Sequence, residues 1–382
     1  MYYDLLGARV DVLQGLEKRL TMFLKVSRGL GLGIGLLVTL VLTALLVLSL
    51  VRGRTPSIAG ENSISTSETV VLGGVEHFVV TRGADRNKPV LLMLHGGPGL
   101  PLTPLRSLMS PEIEENFTVV MYDQRNAGRS GKGDLEDMTV EQHVADAVEL
   151  TDLLRERFDQ EKIYLLGHSW GAHLGLHVAQ AAPEKYHALI NTGQWLMTDV
   201  ANVSNACEDF IRSSTVGTNL EEEYATLLRE GGKSLREEWR WWGLCPNDLV
   251  APLGGEIYGE TRSANEVFRP YILRTPEYRP LDIVKFVRFN NEHRWALLDQ
   301  AFELGTTVTE LKLPAYFFLG RHDYVTPSVV VPAYLEYLDA PREEVVWFEA
   351  SAHFPFMEEP EKFARELVRV KREVQGAEAS LR

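Results

Sequence analysis

Between residues 69 and 191 the chain alternates short apolar runs with longer stretches of helical spacing. Thr69–Leu72 and His77–Thr81 flank Gly73 and Gly74, which predicts a hairpin. Val90–Leu94 and Phe117–Tyr122 are continuous apolar runs, the pattern of strands buried on both faces. Lys162–Leu166 and Tyr186–Asn191 read as two more strands. Val140–Phe158 carries Val144, Ala147, Val148, Leu150, Leu153 and Leu154 at helical spacing, and Gly171–Ala182 is a short helix rich in Ala and Leu. After Thr306 the alternation resumes with strand Leu313–Leu319, helix Ser328–Leu338, strand Glu344–Phe348 and helix Pro360–Val374. Strands alternating with helices predict an α/β fold: a mostly parallel central sheet with helices on both faces and an antiparallel edge made by the first hairpin.

Two segments depart from this pattern. From about Leu196 to Thr306 the strand runs stop, while charges and tryptophans increase (Trp239, Trp241, Trp242, Trp295). Residues 196–306 therefore read as a helical lid inserted over the carboxyl end of the sheet, where open α/β sheets bind ligands. At the other end, Gly29 to Val51 runs 23 residues without a charge. A bilayer core needs roughly 20 apolar residues as a helix, so this stretch reads as a transmembrane helix. A cleaved signal peptide is the rival, with Ser57-Ile58-Ala59 as small residues near a cleavage point, but the run is long and Arg52 and Arg54 intervene. Arg9, Lys18, Arg19, Lys25 and Arg28 precede the span, which predicts a cytoplasmic N-terminus and an extracytoplasmic domain. The expected plan is a leader (1–28), a membrane span (29–51), a linker (52–67), a first core part (68–195), the lid (196–306) and a second core part (307–382).

A net charge of −14 argues against a nucleic-acid partner, whose phosphates it would repel. The chain has two cysteines, Cys207 and Cys245, both in the predicted lid. Neither they nor any histidine and carboxylate cluster has metal-ligand spacing, so no metal or cofactor is expected. Two buried thiols and a disulfide remain open for the pair; the second requires an oxidising compartment.

The sharpest chemical signal is Gly167-His168-Ser169-Trp170-Gly171, directly after one predicted strand and opening a helix. A turn this tight needs glycine at both flanks and projects the serine above the sheet, so Ser169 is the expected nucleophile. A serine hydroxyl needs a base. His353 lies in the loop after the last strand and is free to reach the turn; the acid that would hold its tautomer is Asp323, in the loop after Leu313–Leu319. An acyl-transfer intermediate also needs backbone donors aimed at its oxyanion. Trp170 N–H is one, and the loop His95-Gly96-Gly97-Pro98-Gly99 after Val90–Leu94 offers the other, from Gly97 first and Gly96 as the alternative. Asp146 and Glu358 read as carboxylates on helix surfaces.

As a set, His95–Gly99, Asp123-Gln124-Arg125-Asn126-Ala127-Gly128-Arg129-Ser130, Gly167–Gly171, Gly320-Arg321-His322-Asp323 and Ser351-Ala352-His353 resemble the prolyl iminopeptidase family of α/β-hydrolases, over roughly residues 68–374. The resemblance implies removal of an N-terminal residue, typically proline, from a peptide without a metal. Carried over, Ser169, Asp323 and His353 form the triad and Gly97 with Trp170 the oxyanion hole. Asn126 departs from the glycine usual there; asparagine tolerates left-handed backbone better than most residues. The family holds the substrate ammonium with lid glutamates, and candidates here include Glu208, Glu222 and Glu256. The partner expected is a small-molecule or short-peptide substrate. A carboxylesterase, lactonase or amidase on the same triad is the alternative, and a non-catalytic binding protein the alternative of another class.

Overall fold

In the computed structural model, the described residues are 22, 25, 33–47, 53–196, 200–230, 245, 247–287, 291–304 and 308–380. Residues 1–52 form one unit and 53–382 another.

Eight strands build one sheet: β1 (Ile64–Leu72), β2 (Val75–Gly83), β3 (Val90–Leu94), β4 (Thr118–Tyr122), β5 (Ile163–His168), β6 (Tyr186–Thr192), β7 (Ala315–Gly320) and β8 (Glu343–Phe348). Their order is β1-β2-β4-β3-β5-β6-β7-β8. β1 and β2 pair antiparallel, as do β2 and β4; every pairing from β4 to β8 is parallel. Six strands thus end on one edge of the sheet, and the loops that follow β3, β4, β5, β6, β7 and β8 converge there.

Side chains alternate across a strand, and the core divides accordingly. Val90, Leu92 and Leu94 join Leu165, Leu189, Phe317 and Leu319 on one face, under Ala147, Leu150 and Leu154 of helix Val140–Phe158 and Leu174 and Val178 of helix Trp170–Ala181. Leu91 and Met93 join Tyr164, Leu166, Ile190, Tyr316 and Phe318 on the other, under Phe363, Leu367, Val370 and Val374 of helix Pro360–Ser380. Each fully buried Leu or Phe of this kind stabilises by about 1.5–3 kcal/mol relative to exposure.

Between β6 and β7 the described residues hold helices and no strand: Val200–Thr215, Glu221–Glu230, Asn247–Val250, Ala264–Arg274, Pro280–Val287 and Asn291–Leu304. Val203, Cys207, Ile211, Tyr224, Cys245, Leu249 and Val250 form a small core of this insertion and pack on Val325 beyond β7. Cys207 and Cys245 are joined by a disulfide, their Cα atoms 5.7 Å apart. Trp239, Trp241 and Trp242 lie outside the described residues.

The membrane span is a correction. Of the expected segment 29–51, residues 33–47 are described, as a helix. Among the described residues no helix is long and apolar enough to cross a membrane. The transmembrane helix, the partnership with a membrane through residues 29–51, and the extracytoplasmic placement built on them are therefore not supported. Residues 29–32 and 48–51, and the leader apart from Met22 and Lys25, lie outside the described residues.

Because the disulfide closes a loop of 38 residues, replacing both cysteines with serine should lower unfolding free energy by about 2–4 kcal/mol. Denaturant titration of the double variant checks this, and peptide mass spectrometry without reductant should recover residues 207 and 245 linked.

Candidate active site

The turn after β5 is the most constrained point of the backbone. Ser169 adopts φ 55° and ψ −120°, a conformation L-residues rarely take. Its N–H donates to Thr192 O at the end of β6 (3.0 Å). A Cβ on Gly167 would come within 2.3 Å of Gly171 O, and one on Gly171 within 2.1 Å of Leu94 O. Both contacts are with backbone, so neither flank can carry a side chain. Helix Trp170–Ala181 starts immediately, and the N–H of its first residue is outside the intrahelical ladder.

β7 and β8 deliver the other two residues. Arg321 N–H donates to Phe348 O and His322 N–H to Ser351 O (2.9 Å each), stitching the loops together. A Cβ on Gly320 would meet Ala352 O at 1.9 Å, so glycine permits this approach. Asp323 Oδ2 accepts from His353 Nδ1 at 2.9 Å and from Thr326 Oγ1 at 2.9 Å. Its Oδ1 accepts from the N–H groups of Val325 and Thr326 at 3.0 Å each. Asp323 is 1% exposed and His353 4%. Burial opposes a charged imidazole, but the Asp323 charge and hydrogen bond, with Glu256 and Glu358 beyond, outweigh it and hold the His353 pKa above its ordinary value.

Two contacts bring His353 to the Ser169 turn. Gly193, directly after Thr192, lies against the His353 ring, where a Cβ would sit 2.9 Å from Cε1. The ring of His168, the residue before Ser169, is 4.9 Å centroid to centroid from that of His353. The sequence-predicted serine, histidine and aspartate thus share one edge of the sheet.

A family model described as the alpha/beta hydrolase fold matches residues 89–360. The chain belongs to the α/β-hydrolase family. It is a hydrolase resembling the prolyl iminopeptidases. Among curated relatives, "Probable aminopeptidase YbaC" of Bacillus subtilis (strain 168) is 29% identical over 326 residues, spanning 82% of this chain and 98% of its own. Proline iminopeptidase of Heyndrickxia coagulans is 24% identical, over 72% of this chain and 87% of its own. The crystal structure of proline iminopeptidase from Mycobacterium smegmatis superposes with TM-score 0.52 at 17% identity, covering 82% of this chain and all of that one (100%). At that identity the superposition shows the shared fold alone.

The loop after β3 fixes the hydrolase's remaining site elements. Gly97 has φ 112°, and a Cβ there would meet Gly99 N at 2.7 Å. Gly96 packs on the serine itself: a Cβ would come within 2.9 Å of Ser169 Cβ. Gln124, just past β4, locks this loop to the turn. Its N–H donates to His95 Nε2 (2.9 Å), its Nε2 donates to His95 O (2.9 Å), and its Oε1 accepts from Trp170 Nε1 (3.0 Å). Since Nε2 of His95 accepts, Nδ1 carries the proton and donates to Gly96 O (2.9 Å). Burial pushes the His95 pKa down to about 3, keeping that tautomer neutral. This bridge was not anticipated; a glutamine that follows a strand end and makes three bonds leaves no periodic signature.

The predicted lid acids separate clearly. Glu208 pairs with Arg212 one turn on (2.6 Å), and Glu222 is exposed on its helix. Glu256 is 4% exposed, its carboxylate accepts from Ala264 N–H (2.8 Å), and its backbone O accepts from His353 N–H (3.1 Å). Of the three, it is the one beside His353. Two carboxylates expected on helix surfaces are not there. Asp146 is 1% exposed and chelates Arg125 through Nε (3.1 Å) and Nη2 (2.9 Å). Glu358 accepts from the N–H groups of Ala352, Phe354 and Tyr258, bracing the His353 loop. Asn126 takes the left-handed conformation (φ 61°) that its position requires. Among the described residues no group of three or more His, Cys, Asp or Glu is placed to hold a metal ion.

The two histidines should titrate in opposite directions by NMR: His353 above the ordinary 6.5, and His95 not until about pH 3. Protonated His353 is favoured by folding, so its stability contribution is complete below 6.5 and is lost as pH rises through the raised value. His95 works in reverse: stability falls as pH drops from 6.5 towards about 3. Asp323→Asn should lower the His353 pKa and leave that of His95 unchanged.

Proposed function

We propose that this hydrolase is an aminopeptidase that removes a small N-terminal residue, such as proline, from a short peptide through an acyl-enzyme. The observation that carries the reading is the buried His353–Asp323 pair beside a serine held at positive φ. His353 Nε2 takes the proton of Ser169 Oγ as that oxygen attacks the substrate carbonyl. The developing oxyanion is held by the N–H groups of Gly97 and Trp170. The peptide bond breaks as His353 returns the proton to the leaving amine; water, activated by the same base, then hydrolyses the ester. Asp323 stays ionised and keeps the Nδ1–H tautomer, with Thr326 as a second partner of the pair (3.2 Å to Nδ1).

The choice of a free amine rests on Glu256. A buried ammonium needs a partner, because desolvating it unpaired costs several kcal/mol. Glu256 is a carboxylate of the insertion at the catalytic edge, and its charge is felt at His353. The relatives named aminopeptidase and proline iminopeptidase support the same choice.

Labelling by a fluorophosphonate probe should be lost in Ser169→Ala, with turnover reduced on the order of a millionfold. An N-acetylated aminoacyl arylamide should be refractory, whereas the free-amine compound is cleaved. Glu256→Gln should raise KM for the free amine roughly tenfold or more. Equal turnover of blocked and free substrates would replace this reading with an esterase, lactonase or amidase on the same triad.

A further inference from the structure

A cleft of about 500 Å³ opens between helix Ala264–Arg274 and the turn Thr103–Leu108. Three arginines, Arg106, Arg262 and Arg274, line it, against one carboxylate, Glu277. Glu277 is fully buried and already engaged by Arg106 (3.1 Å) and by the hydroxyls of Thr55 (3.0 Å) and Thr275 (2.5 Å). Arg262 is exposed and pairs with Glu260 (2.5 Å). Arg274 is exposed at the last turn of its helix, with no ion-pair partner among the described residues. In a chain of net charge −14 this lining carries an excess of positive charge, with Arg274 available to a ligand.

Both walls of the cleft lead to the catalytic edge. Phe268 of the same helix packs edge-on against Phe354 (4.9 Å), whose ring is 5.0 Å from that of His353. The opposite wall begins at Thr103, four residues past Gly99 of the oxyanion loop, and Thr103 Oγ1 reaches Asp123 beside Gln124 (3.5 Å). Glu256 accepts from the first N–H of that helix. One helix therefore has a carboxylate bonded to its start and an arginine on its last turn.

We propose that this cleft binds the carboxylate of the substrate's leaving portion, with Arg274 as the principal contact and Arg262 as its support. The substrates are then short peptides, recognised at both ends: ammonium near Glu256 and carboxylate at Arg274. The inference rests on the aminopeptidase reading for its substrate class. A guanidinium at a carboxylate makes a charge-assisted bond that a neutral carboxamide cannot reproduce.

The test compares kcat/KM for tetrapeptides with a free C-terminus, long enough to reach along the helix, and for the same tetrapeptides as carboxamides, in the wild type, Arg274→Gln and Arg274→Glu. The wild type should prefer the acid roughly tenfold. Arg274→Gln should bring the ratio near one, mainly through KM of the acid, and Arg274→Glu should invert it. A loss of folding lowers both substrates together and leaves the ratio intact, so the ratio isolates the contact. A wild-type ratio near one, or a ratio that Arg274→Gln leaves unchanged, overturns the proposal. If N-acetylated substrates turn over as well as free amines, the aminopeptidase reading fails by itself. Acetate esters of carboxyphenol and of its carboxamide then read the same cleft, with the same expected ratios and the same overturning result.

Discussion

Everything at the edge where the Ser169, Asp323 and His353 loops gather depends on holding Ser169 in a backbone conformation it would not choose. A non-glycine residue in such a region costs on the order of 1–3 kcal/mol. The surroundings over-determine it. The Ser169 N–H is tied to Thr192 O, Gly167 and Gly171 are pressed against backbone, and Gly96 closes over the serine Cβ. These constraints come from three adjacent strands, β3, β5 and β6, so the strained turn is offset by the sheet as a whole. The same crowding sets the other distances. Gly193 follows the carbonyl that restrains Ser169, and the His353 ring rests on Gly193. Position at the serine and position at the histidine are thus one constraint.

A second layer of polar contacts ties the loop after β3 to the same turn. Gln124 ties the loop of Gly97 to the side chain of Trp170, so both expected oxyanion donors are referenced to one residue at the end of β4. A donor array fixed before substrate arrives needs no reorganisation during reaction, the usual source of electrostatic stabilisation. Asp123, the residue before, joins the insertion to this layer by accepting from the Tyr278 hydroxyl (2.7 Å), and it also accepts from Arg129 N–H in its own loop (2.7 Å). Its burial pushes the carboxyl up to about 7 against those donors, so the joint is strongest when the carboxylate is ionised.

Much of this was legible in the sequence because it rests on local pattern. Each predicted strand is present, and the residues of the glycine-flanked turn, the aspartate loop and the histidine loop meet at one edge. The misses have local physical causes. β1 begins at Ile64, inside the stretch read as a linker, because an edge strand needs no apolar run: Ser65, Thr66, Ser67 and Glu68 pair along β2 while facing partly outward. The helix read over Ser328–Leu338 is instead a 3-10 turn followed by Val331–Leu335, since Pro332 forces a fresh helix start. Asp146 and Glu358 looked like surface carboxylates because their partners, Arg125 and three loop N–H groups, are distant in sequence or carry no side-chain signal. The N-terminal apolar run misled in the other direction. Hydropathy measures preference for an apolar environment, not the length of a continuous helix, and among the described residues no helix is long and apolar enough to cross a membrane.

The insertion is usually imagined in such folds as a cover that swings. Here its segment from Cys245 to Glu256 is hydrogen-bonded backbone to backbone with the loops beyond β7 and β8. Cys245 N–H donates to Val325 O (3.2 Å), Tyr324 N–H to Gly255 O (3.0 Å), and His353 N–H to Glu256 O (3.1 Å). The disulfide extends the anchorage to helix Val200–Thr215. This part of the insertion behaves as a fixed jaw, machined to the same frame as the aspartate and histidine. On the proposed reading, size selection would work as in a calliper with one stationary arm: a substrate would be measured from the histidine outward, and only one whose charged end falls at the gap's set width would register.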